Sequence, residues 1–80
     1  MNTDEVTCRC IDCQGRMERY DEKFFRQTRK IYWRCERCSV RAIAKFVRDQ
    51  DGVLHYQNTS YHRYADGKVP EFILSMSAFP

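Results

Sequence analysis

The chain has 80 residues, of which 42% are hydrophobic and 31% are charged, and its formal net charge is +3 at pH 7. A chain of this length makes one domain, whose apolar core supplies only about 3–5 kcal/mol unless a metal, disulfides or a partner adds to it. No apolar stretch approaches the roughly 20 residues that a membrane-spanning helix needs. We therefore expect no membrane association and a fold that depends on more than its own core.

The beginning of the chain bears on the redox compartment. Residues 1–7 are predicted to be a flexible lead, and residues 1–5 are polar and acidic rather than a charged start followed by an apolar run. Nothing in this segment directs the chain to an oxidising compartment, and five cysteines leave one sulfur unpaired in any disulfide scheme. We expect a protein of the reducing cytoplasm, or of the nucleus if the source is eukaryotic, and not a secreted one.

Two matched cysteine doublets are the strongest signal in the chain, and 21 residues (14–34) separate them. They are Cys10-Ile11-Asp12-Cys13 and Cys35-Glu36-Arg37-Cys38. Each doublet can form a tight knuckle that presents two thiolates, and two knuckles complete a tetrahedral shell around one metal. We predict one structural Zn²⁺ bound by these four cysteines, with Cys8 or His62 as a possible replacement for one ligand. Structural zinc contributes on the order of 10–16 kcal/mol, which would decide whether the domain folds.

Positive charge is concentrated on the same part of the chain. The window 9–48 holds twelve lysines and arginines against five acidic residues, whereas the residues outside it carry a net negative charge. Nine of the twelve are arginines, whose planar guanidinium suits phosphates and guanine edges. At short range a polyanion interacts with the local group of cations rather than with the net charge of the chain. We therefore expect a nucleic-acid partner.

The spacer between the doublets is predicted to form a hairpin. Residues 16–20 and 29–35 are the predicted strands, and 21–23 are a predicted polar break between them. Alternation in the second strand assigns Ile31, Trp33 and Cys35 to one face and Lys30, Tyr32 and Arg34 to the other. The hairpin would bring the two knuckles together.

The segment after Cys38 allows two interpretations. Val40, Ile43, Ala44 and Val47 follow helical spacing, which predicts a treble clef with a helix at about 39–49. The other interpretation is a strand over 40–48, a turn at 49–52 that contains Asp-Gly, and a return strand over 53–57. We predict a zinc-binding domain over 8–64, with a further turn at 58–60, and a tail over 65–80 that packs on the domain or docks on a partner.

The cysteine pattern and the residues around it resemble two known families. Thr28, Tyr32 and Cys35, after the Cys10 and Cys13 doublet, resemble the Ogr/Delta family of small phage transcription activators, although two residues rather than four separate the last cysteine pair. The resemblance covers about residues 10–40 and implies a viral, DNA-binding transcription regulator that holds one zinc ion.

The second resemblance is to FLYWCH-type zinc fingers. Its residues are Tyr32-Trp33-Arg34-Cys35, Cys38, Arg41-Ala42, Gly52-Val53 and His62. In that family a His-x-His pair supplies the last ligands, whereas the second position here is Tyr64. Both resemblances imply DNA contact through a β-rich zinc module, and both favour a strand after Cys38. The predicted fold is therefore a small metal-stabilised domain, mainly antiparallel β and similar to a zinc ribbon.

These observations together predict a zinc-dependent nucleic-acid-binding protein, with DNA a stronger candidate than RNA. The residues expected to contact nucleic acid are Lys30, Tyr32, Arg34, Arg37, Arg41 and Lys45. The alternatives are an adaptor that docks on RNA polymerase or another host protein, and a purely structural zinc module. We do not expect an enzyme, because no catalytic motif is present and a closed shell of thiolates leaves the metal no position for water.

Overall fold

The computed structural model describes residues 7–64 and 70–77, which contain five antiparallel strands in a simple meander. The strands are β1 (Glu18–Phe25), β2 (Thr28–Arg34), β3 (Val40–Arg48), β4 (Leu54–Arg63) and β5 (Glu71–Met76). Their order in the sheet follows the chain, β1-β2-β3-β4-β5. The prediction of a small, mainly antiparallel β domain is confirmed, whereas most of the predicted lead and parts of the predicted tail lie outside the described residues.

Strict alternation of buried and more exposed residues in β2 and β3 gives the sheet two distinct faces. The inner face bears the core, to which an N-terminal segment adds Cys8, Cys10 and Met17. The core residues contributed by the strands are Ile31, Trp33, Val40, Ala42, Ala44, Phe46 and Tyr61. The opposite surface of the sheet is the outer face, which bears Lys30, Tyr32, Arg34, Arg41 and Lys45 by the same alternation and cross-strand register.

The alternative of a helix at about 39–49 is wrong, and the preferred interpretation is confirmed, because this segment is strand β3. Helical spacing would bury Ile43 and leave Phe46 outside the apolar stripe. In the strand, Ala42, Ala44 and Phe46 share the inner face with Val40, while Ile43 lies opposite Tyr32 on the outer face. Strands β2 and β4 flank β3 on both sides, so its backbone hydrogen bonds are made across the sheet. Within 7–64 and 70–77 the structure contains no helix that is long and apolar enough to cross a membrane.

Two turns predicted from polar residues are also wrong. The run 21–23 continues β1, with a register shift between Arg19 and Asp21, because an edge strand tolerates charged side chains and bulges. The chain turns instead at Arg26, whose φ is 56°. Residues 58–60 lie inside β4, where the Thr59 side chain is fully buried. Polarity alone did not distinguish a turn from a strand with one solvated face.

The turn over 49–52 is confirmed, and it joins β3 to a return strand longer than the predicted 53–57. The amide of Asp49 donates to the Val53 carbonyl at 2.9 Å, and Gly52 has a φ of 81°. The Asp49 carboxylate accepts hydrogen bonds from the amides of Asp51 and Val53. Beyond this hairpin, part of the tail adds β5 to the sheet, where Leu74 pairs with Tyr61.

Candidate metal centre and basic sheet face

The structure brings the four predicted ligands together at one end of the sheet. The sulfur atoms of Cys10, Cys13, Cys35 and Cys38 all lie within 4.8 Å of one another. The Cys13 and Cys35 sulfurs are 3.7 Å apart. A tetrahedral ion with Zn–S bonds of about 2.3 Å requires sulfur atoms about 3.8 Å apart. The cluster could therefore hold one metal ion with only small adjustments.

The first knuckle is built by backbone hydrogen bonds that close a tight loop. The Cys10 amide donates to the Gly15 carbonyl and the Gln14 amide to the Cys10 carbonyl, both at 2.9 Å. Gln14 adopts a φ of 61°, in the left-handed region. Amides of the loop also face the ligands: Asp12 donates to the Cys10 sulfur and Gly15 to the Cys13 sulfur, each at 3.4 Å. Such bonds stabilise a sulfur that carries negative charge.

The second knuckle lies between β2 and β3, where the Cys35 amide donates to the Val40 carbonyl at 3.1 Å. Burial alone would raise the pKa of Cys35, but hydrogen bonds from the backbone amides of Arg37 and Cys38 and from neighbouring thiols lower it to about 7. Burial and the neighbouring thiols raise the pKa of Cys38 to about 12. Four adjacent sulfurs cannot all ionise unaided, and a bound cation would remove this penalty.

Other contacts fix the two knuckles to the end of β4. The Arg63 guanidinium donates to both carboxylate oxygens of Asp12 at 2.9 Å, and this contact raises the pKa of Arg63. The Tyr64 amide donates to the Ser39 carbonyl at 2.7 Å. The first knuckle thus contacts β4 and the second contacts the residue after it, so the ligand positions are supported by the sheet.

Neither alternative ligand belongs to the cluster. The Cys8 sulfur is buried in the core, 3.6 Å from the Tyr61 hydroxyl, and burial raises the pKa of this thiol. His62 lies on the outer face opposite Arg41, and its ring centroid is 5.6 Å from that of Phe72. The set of four cysteines is therefore complete without Cys8 or His62.

On the outer face, several of the residues predicted to contact nucleic acid lie side by side on adjacent strands, in rows that run across the sheet. Lys30 lies directly opposite Lys45, and Arg34 lies directly opposite Arg41. Lys23 of β1 lies opposite Lys30, so Lys23, Lys30 and Lys45 form one continuous lysine row. Arg37 is not on a strand and lies exposed in the knuckle between β2 and β3. The sequence prediction missed Lys23, because it ended the first strand at residue 20.

The cations of the outer face differ in how they are neutralised. Glu18 lies 3.6 Å from Arg34, and the Arg41 guanidinium stacks over the rings of Tyr20 and Tyr64 at 5.4 and 4.6 Å from their centroids. For Lys30 and Lys45, no carboxylate among residues 7–64 and 70–77 lies within ion-pair distance. Like charges directly opposite one another destabilise a sheet. The lysine row is therefore a feature that folding alone does not favour.

The lysine row borders a shallow cavity of about 300 Å³ on the outer face. Its walls are Lys23, Phe25, Thr28, Lys30, Tyr32 and Lys45. The Phe25 side chain is 70% exposed at the end of β1, and Tyr32 is half-buried. Phe25 was not among the predicted contacts, and only the β1–β2 register could have placed it there. The cavity thus combines positive charge with two aromatic rings.

Comparison with known proteins finds no match for the chain among family models, curated proteins or solved structures. A four-cysteine cluster occurs in many unrelated folds and does not by itself identify a family. The resemblances to the Ogr/Delta and FLYWCH-type families therefore stay predictions, and the geometry of the cysteine cluster and of the outer face is the basis for assigning a function.

Proposed function

We propose that this protein is a zinc-stabilised β domain that binds nucleic acid through the outer face of its sheet. The observation that carries the proposal is the lysine row, in which three cations lie side by side on adjacent strands. Arg34 and Arg41 form a second pair on the same face. A polyanion would relieve the repulsion within these rows and release counterions on binding, which is the main source of affinity for nucleic acids.

The metal would have a structural role. Tetrahedral four-thiolate sites hold zinc or iron, and we assign zinc, to which a closed thiolate shell would leave no open position for water. Held by Cys10 and Cys13 on one side and by Cys35 and Cys38 on the other, the ion would cross-link the first knuckle to the loop between β2 and β3. This cross-link would fix the ends of β2 and β3 that carry Arg34 and Arg41, and so hold one side of the basic surface rigid.

DNA and a role in transcription, as in small phage regulators, are proposed on the family resemblances alone. A second candidate function, docking on a protein, is supported by one observation: β5 is the last strand of the sheet, and its Phe72 side chain is 58% exposed. Such an edge could accept a strand of RNA polymerase or another host protein. Phe72 pairs with His62 on the outer face, so the substitution Phe72→Ala, which changes no charge, would weaken that interaction and leave the lysine row unaltered.

Charge reversal at two positions of β3, one on each face of the sheet, tests the proposal. Lys45 is on the outer face, whereas Arg48, three residues later, is on the inner side of the strand. We expect Lys45→Glu to weaken binding to labelled oligonucleotides strongly and Arg48→Glu to weaken it much less. Fluorescence anisotropy gives both affinities, and zinc content and melting temperature verify that both variants are folded.

The salt dependence provides a second readout. Five phosphate contacts predict a slope of about −3.5 for single strands and −4.5 for duplex DNA in a plot of log K against log salt concentration. Lys45→Glu should reduce the magnitude of this slope by about one or more. A flat dependence, or equal effects of the two reversals, would contradict binding by the outer face.

A further inference from the structure

We infer that the outer face binds nucleic acid as a single strand, with bases stacked on Phe25 and Tyr32 and phosphates held by the lysine row. This inference rests on the proposed function and specifies its ligand. Its basis is the cavity of about 300 Å³, in which lysines from three adjacent strands surround two aromatic walls. Charge and aromatic surface thus occur in one site rather than on separate parts of the molecule.

The two aromatic walls differ in exposure: Phe25 is open to a ligand, whereas Tyr32 is half-buried and a lysine already lies over its ring. Phe25 is the most exposed of the large apolar side chains that the structure describes, and its ring contacts the guanidinium of Arg26 at 5.3 Å. The Tyr32 ring lies under the Lys23 ammonium, 5.3 Å from its centroid. An exposed phenylalanine contributes little to folding, because its apolar surface stays in water. A base stacked on Phe25 would cover that apolar surface. The phosphates next to the base would then lie near the neighbouring cations.

The aromatic surface continues beyond the cavity. The Tyr20 ring is 6.2 Å from that of Tyr32, and the guanidinium groups of Arg34 and Arg41 lie 5.5 and 5.4 Å from the Tyr20 centroid. Strand β2 from Thr28 to Arg34 spans about 20 Å at about 3.3 Å per residue. Stacking rings and cations therefore alternate along the face over a length that fits several nucleotides.

This arrangement favours a single strand over a duplex for a geometric reason. Neighbouring base pairs cover the faces of each base inside a duplex, so a protein ring reaches only its edges. In a single strand the faces are open, and each base stacked on an aromatic side chain contributes about 1–3 kcal/mol by alanine substitution. The lysine row would bind the phosphates of either a single strand or a duplex, whereas Phe25 and Tyr32 would stack only on the bases of a single strand.

Phe24 and Phe25 provide a matched pair for the test. Both are exposed, but Phe24 lies opposite Arg29 and its ring contacts that guanidinium, on the other side of β1 from the cavity. The probes are labelled DNA and RNA single strands of about 4 to 16 nucleotides and the duplex formed by the longest of them, each with the zinc-loaded protein. Anisotropy titrations give the affinity of every variant for every probe.

We expect the wild-type protein to bind the single strand more tightly than the duplex. Phe25→Ala should weaken single-strand binding by roughly 5- to 150-fold, Phe25→Trp should retain it, and Phe24→Ala should change it by less than about twofold. Single strands of the same sequence, one made of DNA and one of RNA, show which nucleic acid the protein prefers. A preferred duplex, or single-strand binding unaffected by Phe25→Ala, would overturn the inference while the proposed function stands. Absence of binding to any probe would overturn both.

Discussion

The assignment of β3 as a strand makes a quantitative prediction for two isoleucines. Ile31 in β2 is fully buried on the inner face beside Ala44, whereas Ile43 in β3 lies opposite Tyr32 on the outer face. Truncating a buried isoleucine to alanine costs about 2–5 kcal/mol, since it removes apolar contacts and leaves a cavity. A chain of this size has a total stability of about 4–12 kcal/mol, so Ile31→Ala would remove a large part of it. Ile43→Ala should cost about 1 kcal/mol or less.

Urea unfolding of both variants under reducing conditions and at one fixed free zinc concentration measures these costs, because bound metal adds to the apparent stability. In thermal melts Ile31→Ala should lower the melting temperature by at least about 8 °C. The comparison also separates strand from helix, since a helix over 39–49 would bury Ile43 within its apolar stripe. A cost for Ile43→Ala that equals or exceeds that of Ile31→Ala would refute the assigned faces of β3.

Two further predictions concern the turns. A Cβ atom on Gly15 would lie 3.3 Å from the Cys13 sulfur, so Gly15→Ala should lower zinc affinity in competition with a chelator. Unchanged affinity would contradict the knuckle geometry. A hydrogen bond from His55, with the amides of Val53 and Asp51, holds the pKa of Asp49 below its usual value. The charged Asp49 carboxylate therefore stabilises the folded state fully at any pH above the unfolded-state pKa of Asp49. This stabilisation is lost only as the pH falls through the lower pKa of the folded state. Asp49→Asn should therefore reduce stability, and the difference from wild type in urea unfolding should not shrink between pH 7 and pH 5. A shrinking difference would be the contrary result.

The cysteine cluster was predictable from sequence because its information is local. Each knuckle needs only two cysteines at short spacing, and Gly15 follows the first pair. The four sulfurs meet although the intervening hairpin has its turn at Arg26 rather than over 21–23. The error in the connecting strands did not affect the ligand set, since a shift of the turn by a few residues still leaves both cysteine pairs near the open end of the hairpin.

The basic face was predictable only in part because it depends on register between strands. Alternation within β2 correctly placed Lys30, Tyr32 and Arg34 together. Lys23 and Phe25 join them only through pairing with Lys30 and Thr28, and no local pattern specifies that pairing. The polar run in β1 was also not predicted to be part of a strand. An edge strand exposes both its outer surface and one backbone edge, so it can consist largely of polar residues.

The fold and the basic face both depend, in this proposal, on one zinc ion held by four cysteines. Metal analysis with native mass spectrometry, applied to the wild-type protein and to single replacements, examines that dependence without any nucleic acid. We expect one zinc per chain, lost in each of Cys10→Ser, Cys13→Ser, Cys35→Ser and Cys38→Ser and retained in Cys8→Ser and His62→Ala. Zinc that is absent from the wild-type protein, or that depends on Cys8 or His62 while persisting in Cys10→Ser, would show that the four-cysteine site is wrong.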